Sequence, residues 1–309
     1  MCVKNWYNIG INLKGRTRNA DGSNEYPGAV SGGCDRVWLC RSRLRQIRQN
    51  SQIMEERFAQ EQFKRIWQGE EECAFSGWDF SHLDGRWTDA ELPWDYRAEV
   101  LDGLAPEHRL LDMGTGGGEF LMTLGHPPAV TAVTEGYPPN LALCRERLSP
   151  LGVDVRAVNE DDRLPFEDER FDRVINRHES FRVDEVRRVL RPGGRFVTQQ
   201  VGGENDRALS ERLIEGFRPV FPDHDLAHNV RALTEAGFEI LRAEEHFGPI
   251  RFYDTGALVF FARVIPWEFP GFSVERCWDR LTDVQREIEQ RGCVEGTEHR
   301  FLIVARRQL

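Results

Sequence analysis

The stretch Leu110-Leu111-Asp112-Met113-Gly114-Thr115-Gly116-Gly117-Gly118-Glu119-Phe120-Leu121 constrains the fold more than any other. An apolar run ends in an acid, a glycine-dense turn follows, and an apolar helix-like segment begins. That order reads as a strand, a tight loop and a helix N-terminus, the opening unit of a βαβ cofactor-binding fold. Glycine lets the backbone approach a ligand and adopt positive φ. A dinucleotide fingerprint, G-x-G-x-x-G, fails here: its third position is Glu119 counted from Gly114 and Leu121 counted from Gly116. A phosphate loop also fails, because no Gly-Lys-Ser/Thr ends the turn. The spacing that holds is D-x-G-x-G-x-G, from Asp112 through Gly114 and Gly116 to Gly118.

The chain downstream alternates regularly. Strands are expected at Leu110–Met113, Ala129–Thr134, Val153–Val158, Phe171–Asn176 and Arg195–Val201, with helices between them, one opened by Pro138-Pro139 and one stopped by Arg191-Pro192-Gly193-Gly194. Beyond them, helices are expected at Asn205–Val220 and Ala227–Ala236 and a strand at Phe238–Glu244. Asp254–Ile265 reads as a buried helix, and Ser273 as the cap of an amphipathic helix bearing Val274, Leu281 and Ile288. A last strand follows at Arg300–Ala305. The fold class is α/β: a Rossmann-like, doubly wound, seven-stranded, mostly parallel sheet. An N-terminal helical and aromatic cap is expected over 51–104, the main domain over 105–309, and a helical insertion over 254–291. Residues 1–50 hold no persistent period; they are expected to be a disordered or poorly ordered basic tail, or an extension upstream of a true start at Met54.

Charge narrows the ligand. The net charge of −10 divides into +6 over residues 1–50 and −16 over the rest. So acidic a body repels phosphate backbones, which makes nucleic acid an unlikely partner and a small molecule the expected one. The seven cysteines are scattered and form no C-x-x-C, and the histidines form no H-E-x-x-H, so neither a disulfide framework nor a metal is expected. No apolar run approaches the roughly 20 residues of a spanning helix and no secretory signal opens the chain, so a cytoplasmic protein with no membrane contact is expected, as monomer or homodimer.

Together these motifs resemble the class I S-adenosylmethionine-dependent methyltransferases, in their small-molecule and ubiquinone-biosynthesis-like branch. The D-x-G-x-G-x-G loop resembles motif I. Glu135 follows Asp112 by 23 residues, where that superfamily places an acid on the ribose. Residues 159–172, with Leu164-Pro165-Phe166 and Phe171-Asp172, resemble its G-D-A-x-x-L-P-F segment, although Asn159 and Glu160 replace the usual Gly-Asp. Leu190-Arg191-Pro192-Gly193-Gly194 resembles the turn before strand five. The resemblance implies S-adenosyl-L-methionine as cofactor, held by Asp112, Gly114, Thr115, Gly116, Gly118, Glu135, Gly136, Glu160, Asp161 and Asn176. Asp112 would take the ammonium and Glu135 the ribose hydroxyls.

Beyond the fourth strand, Asn176-Arg177-His178-Glu179-Ser180-Phe181 lacks the N-P-P-[FY] of base-methylating enzymes. His178 is the candidate general base, because imidazole titrates near neutrality. Glu179 would orient it or hold a cationic substrate; alternatively Arg177, His178 and Glu179 are a polar network capping the strand. Trp78, Trp94, Tyr253 and Trp267 are substrate-side candidates. The sequence leaves open an rRNA or tRNA base methyltransferase and a non-catalytic S-adenosylmethionine-binding protein.

Overall fold

Two faces of one sheet are buried, and adjacent residues on each strand serve opposite faces. The computed structural model describes residues 49, 51, 54–55, 57–75, 79–158 and 163–309. The chain divides into Met1–Ala59 and Gln60–Leu309. The expected tail at 1–50 lies, apart from Gln49, outside the described residues.

In chain order the second unit contains a helix over 60–71 (α1), Trp87–Thr88 (β1), Tyr96–Leu101 (α2), Leu110–Met113 (β2), Glu119–Leu124 (α3), Thr131–Glu135 (β3), Pro138–Arg147 (α4) and Asp154–Ala157 (β4). Then come Phe171–Arg177 (β5), Val183–Val189 (α5), Leu190–Val201 (β6), Arg207–Leu213 (α6), Leu226–Glu235 (α7), Phe238–Phe252 (β7), Thr255–Val264 (α8), Trp278–Arg291 (α9) and Val294–Arg307 (β8). The strand order is β1-β7-β8-β6-β5-β2-β3-β4. The block from β4 to β6 is parallel, β8 runs antiparallel between β6 and β7, and β1 pairs antiparallel with β7.

Leu110, Val133, Ile175, Val197 and Leu302 pack with residues of α2, α3 and α4, including Val100, Leu121 and Cys144. Their neighbours Leu111, Ala132, Val174, Phe196 and Phe301 pack on the other face against Val186 and Val189 of α5 and Leu233 of α7. This period-two exchange is why the strands are apolar throughout, as parallel strands covered on both faces must be. The chain winds outward from β2 through β3 to β4, then returns to β5 on the other side of β2. The crevice at that reversal, beyond the strands' carboxyl ends, is where open α/β sheets bind ligands.

A third apolar cluster joins α8 and α9 to Trp67 of α1. α8 is buried from Thr255 to Ala262, as an all-apolar helix requires. Asp254 caps it by accepting from Ala257 N at 2.8 Å. Arg86 grips the Asp254 carboxylate with two donors, at 2.9 and 2.7 Å, and reaches Glu70 of α1 at 2.8 Å. That fork ties the aromatic segment and α1 to the insertion.

The sheet has eight strands rather than the expected seven. The extra one, β1, comes from the aromatic segment, where Trp87 pairs with Phe252 and Thr88 with Arg251. β7 and β8 also outrun their expected limits of Glu244 and Arg300. The added residues include the buried polar pair Glu298 and His299, which read as loop because their polarity conceals their burial. Both are hydrogen-bonded: Glu298 accepts from Ala90 N at 3.0 Å, and His299 Nδ1 accepts from Glu204 N at 3.2 Å. The helix expected over 205–220 is confined to Arg207–Leu213, and the chain past it turns through left-handed Gly216. Ser273 caps a preliminary turn, accepting from Arg276 N at 3.2 Å, and α9 begins only at Trp278. α5 ends at Val189, just before the Arg191-Pro192-Gly193-Gly194 expected to stop it; β6 pairs with β5 at Leu190 and again from Arg195, with a register irregularity between. Among the described residues no helix is long and apolar enough to cross a membrane, and no cluster of three or more His, Cys, Asp or Glu could hold a metal ion.

Replacing Arg86 by Met leaves the Glu70 and Asp254 carboxylates facing each other. The expected cost is about 2 kcal/mol, between the exposed and buried limits for ion pairs. Urea unfolding measures it; a loss near zero would show the fork to be a solvated ornament.

Candidate active site

The register sets the site. Met113 lies opposite Thr134 on one side and Asn176 on the other, so β2, β3 and β5 end along one edge. As the chain leaves β2, Gly114 N and Thr115 N both donate to Thr134 O, at 3.0 and 3.2 Å. Gly114, Gly116 and Gly118 have φ of 65°, 64° and 82°, left-handed values that disfavour any residue with a Cβ. Gly117 does not share them. Space is also short. A Cβ on Gly114 would lie 2.4 Å from Glu179 Cγ, and one on Gly118 2.8 Å from Leu148 Cδ1. The Cys144 thiol of α4 donates to Gly116 O at 2.8 Å from beneath the loop.

Two buried acids flank this loop. The Asp112 carboxylate accepts from Thr115 Oγ1 at 2.7 Å. Glu135 accepts from Gly116 N at 2.9 Å and, with its other oxygen, from Tyr137 N at 2.8 Å. Among the described residues no cation forms an ion pair with either. Arg177 stacks on the Phe120 ring at 4.5 Å, and Tyr96 packs on the same ring while donating its hydroxyl to Asn176 O at 3.0 Å.

Past β5, His178 has φ of 64°, rare for a residue with a side chain and costing roughly 1 kcal/mol. Its N–H donates to Gln199 O at 2.8 Å. Its Nε2 lies 2.9 Å from Gln199 Nε2, and Gln199 Oε1 accepts from the Trp94 indole N–H at 2.8 Å. Asn176 is fully buried; its Oδ1 accepts from Thr198 and Gln200, while its Nδ2 has no partner among the described residues.

Residues 111–198 match a family model described as a methyltransferase domain. Over residues 111–198 the chain is similar to methyltransferase domains. It is 35% identical over 119 residues to a demethylmenaquinone methyltransferase of Thermus thermophilus, covering 35% of this chain and 54% of that protein. It is 40% identical over 91 residues to a probable phthiotriol/phenolphthiotriol dimycocerosates methyltransferase of Mycobacterium ulcerans, covering 27% and 35%. The chain thus spans about half and a third of these relatives. Among solved structures it is similar to a putative methyltransferase of Bacillus halodurans, at TM-score 0.49 and 18% identity, covering 69% of this chain and 99% of that one. It is also similar to a geranyl diphosphate methyltransferase in complex with SAM, at TM-score 0.42 and 18% identity, covering 69% and 83%.

The fold brings most of the expected residues together. Asp112, Gly114, Thr115, Gly116, Gly118 and Glu135 build and flank the loop, with Gly136 just past the end of β3. Asn176, His178 and Glu179 border it across β5. Glu160 and Asp161 lie outside the described residues, as does Trp78. Trp94 is buried and engaged with Gln199, so it is no open substrate-side surface; Tyr253 and Trp267 are exposed. The His178 ring, expected to be oriented by Glu179, is engaged by Gln199, while the Glu179 side chain lies against Gly114. The sequence motifs do not point to Gln199, Cys144 or Tyr96, and they reach Arg177 only as part of a strand-capping polar network. Only Gln199 left a trace: two glutamines close an otherwise apolar strand.

Electrostatics separate the two halves of the site. Burial pushes the Asp112 carboxyl up to about 7, against the Thr115 hydrogen bond and Arg177, and the Glu135 charge adds to the rise. Burial holds the His178 imidazole well below its ordinary range, reinforced by the charges of Arg300 and Arg177. At neutral pH His178 is therefore uncharged, and a weak base.

Asp112 makes ligand-free stability depend on pH. Between the ordinary value of 3.8 and about 7 the folded chain holds a proton that the unfolded chain has lost. Stability therefore falls as pH rises through that window, by up to ~1.4 kcal/mol per unit, and levels above it. Urea midpoints across the window should show this slope, and Asp112→Asn should flatten it.

Proposed function

We propose that the chain is an S-adenosylmethionine-dependent methyltransferase acting on a small molecule. One observation carries the reading: two buried carboxylates, Asp112 and Glu135, flank a loop whose motif glycines all adopt left-handed φ. A phosphate ligand is a poor match, because this loop offers acids and no lysine. S-adenosylmethionine carries an ammonium, a sulfonium and two ribose hydroxyls, which are cationic or hydrogen-donating, and the donor set fits it. When bound, it supplies a methyl group already activated for nucleophilic attack. Asp112 would pair with the ammonium. Each Glu135 oxygen, holding one backbone N–H, keeps a second lone pair for a ribose hydroxyl. The glycines keep side chains clear of the methionine part.

The chain's remaining task is to hold the acceptor in line and exclude water; orientation of this kind contributes on the order of 7–11 kcal/mol. The segment His178–Ser180 and the end of β6 would face that acceptor. Two relatives named for demethylmenaquinone and phthiotriol-type dimycocerosates support a small-molecule acceptor, and the acidic body disfavours RNA. A cytoplasmic monomer or homodimer is the matching setting.

Calorimetry with S-adenosylmethionine against NAD and ATP tests the cofactor, and methyl transfer to metabolite pools against total RNA tests the acceptor. Only S-adenosylmethionine should bind, and Asp112→Asn should weaken it by roughly 10–100-fold, the loss of a charge-assisted contact. Because the ammonium pairs with the ionised carboxyl, affinity should fall by up to about tenfold per unit below pH ~7 and plateau above. No detectable binding of S-adenosylmethionine would sink the reading.

A further inference from the structure

We propose that His178 is a fixed hydrogen-bond donor to the methyl acceptor, held neutral with its proton on Nδ1 by the Trp94–Gln199 relay. The acceptor this selects presents an oxygen lone pair, of carbonyl, enolate or phenolate type, near the transferred methyl. This acceptor class rests on the methyltransferase reading above; the tautomer does not.

The relay follows from what each group is able to do. An indole N–H only donates, so the atom 2.8 Å from Trp94 Nε1 is the Gln199 carbonyl oxygen. That fixes the amide: its NH₂ faces His178, 2.9 Å from Nε2. An amide NH₂ only donates, so His178 Nε2 accepts with its lone pair. A neutral imidazole with a bare Nε2 carries its proton on Nδ1. Among the described residues Nδ1 has no hydrogen-bond partner, and the ring is only half-buried.

Taking a proton at Nε2 would set two donors against each other. The charged neighbours also oppose it. Arg177 on the same strand and Arg300 from β8 both disfavour an imidazolium. Arg300 is itself paired with Glu298, Gln199 of β6 is neutral, and the adjoining Glu179 lies against Gly114. His178 is therefore suited to donate and not to abstract. A second observation is independent of the ring. His178 occupies a left-handed backbone position that glycine would fill without strain. A side chain there works against local conformation, as expected where the side chain serves function. Trp94 and Gln199 are positioning residues.

The test uses ¹⁵N-histidine-labelled full-length protein without ligand. Ring-nitrogen spectra should place the His178 proton on Nδ1, with no titration between about pH 5 and 8. Gln199→Glu keeps an oxygen for Trp94 and presents another to His178. It should move the proton to Nε2 and bring the ring's titration into that range. His178→Gly should fold at least as stably as the parent and bind S-adenosylmethionine within about twofold, yet lose roughly tenfold or more in acceptor kcat/KM. A wild-type proton on Nε2, titration near neutrality, an unmoved tautomer in Gln199→Glu, or full turnover in His178→Gly would each overturn the proposal. Failure to bind S-adenosylmethionine would overturn the function above while the spectra still judged the relay.

Discussion

The Glu135 carboxylate is the fixed point on which the site depends. It closes β3, is buried, and spends one oxygen on Gly116 N and the other on Tyr137 N. The first bond holds the glycine loop to the sheet. The second holds the entry to α4, whose Cys144, with Leu148 just past its end, lies against the loop. A buried carboxylate is costly unless hydrogen-bonded, so the loop and the acid stabilise each other. Neither the left-handed glycines nor the Asp112 geometry would persist without that anchor.

The same arrangement leaves a standing electrostatic debt. Glu135 sits close enough that its charge disfavours ionisation of the buried Asp112, and Tyr96, buried beside Asp112, is driven far from ionising. Arg177 relieves Asp112 only from a distance, because its guanidinium is committed to the Phe120 face. A cation entering the loop resolves what the empty fold tolerates. On the other bank the logic inverts: burial, reinforced by the charges of Arg300 and Arg177, keeps His178 uncharged. A cation-seeking half faces a neutral, hydrogen-bonding half across the end of β5.

Much of this was legible in the sequence, for physical reasons. A left-handed turn between a strand and a helix leaves few residues besides glycine, so Gly114, Gly116 and Gly118 announce themselves. Strands buried on both faces must be apolar throughout, so β2, β3, β5 and β6 stand out. What was hidden shares one cause: its meaning lies in a partner far along the chain. β1 is two residues whose pairing is set by β7. Glu298 and His299 read as loop until their distant partners are known. Gln199 is an unremarked amide until Trp94, 105 positions earlier, fixes its direction.

Cys144 has one more consequence. A thiol beneath a loop proposed to bind a methylating electrophile would ordinarily be a liability, since the thiolate is the nucleophilic form of cysteine. Here burial, and the nearby charges of Glu135, Glu119 and Asp112, push its pKa up to about 12. At neutral pH the group is therefore a thiol, and it directs its proton at Gly116 O. The acids that make the loop hospitable to a cation also keep the nearest soft nucleophile protonated.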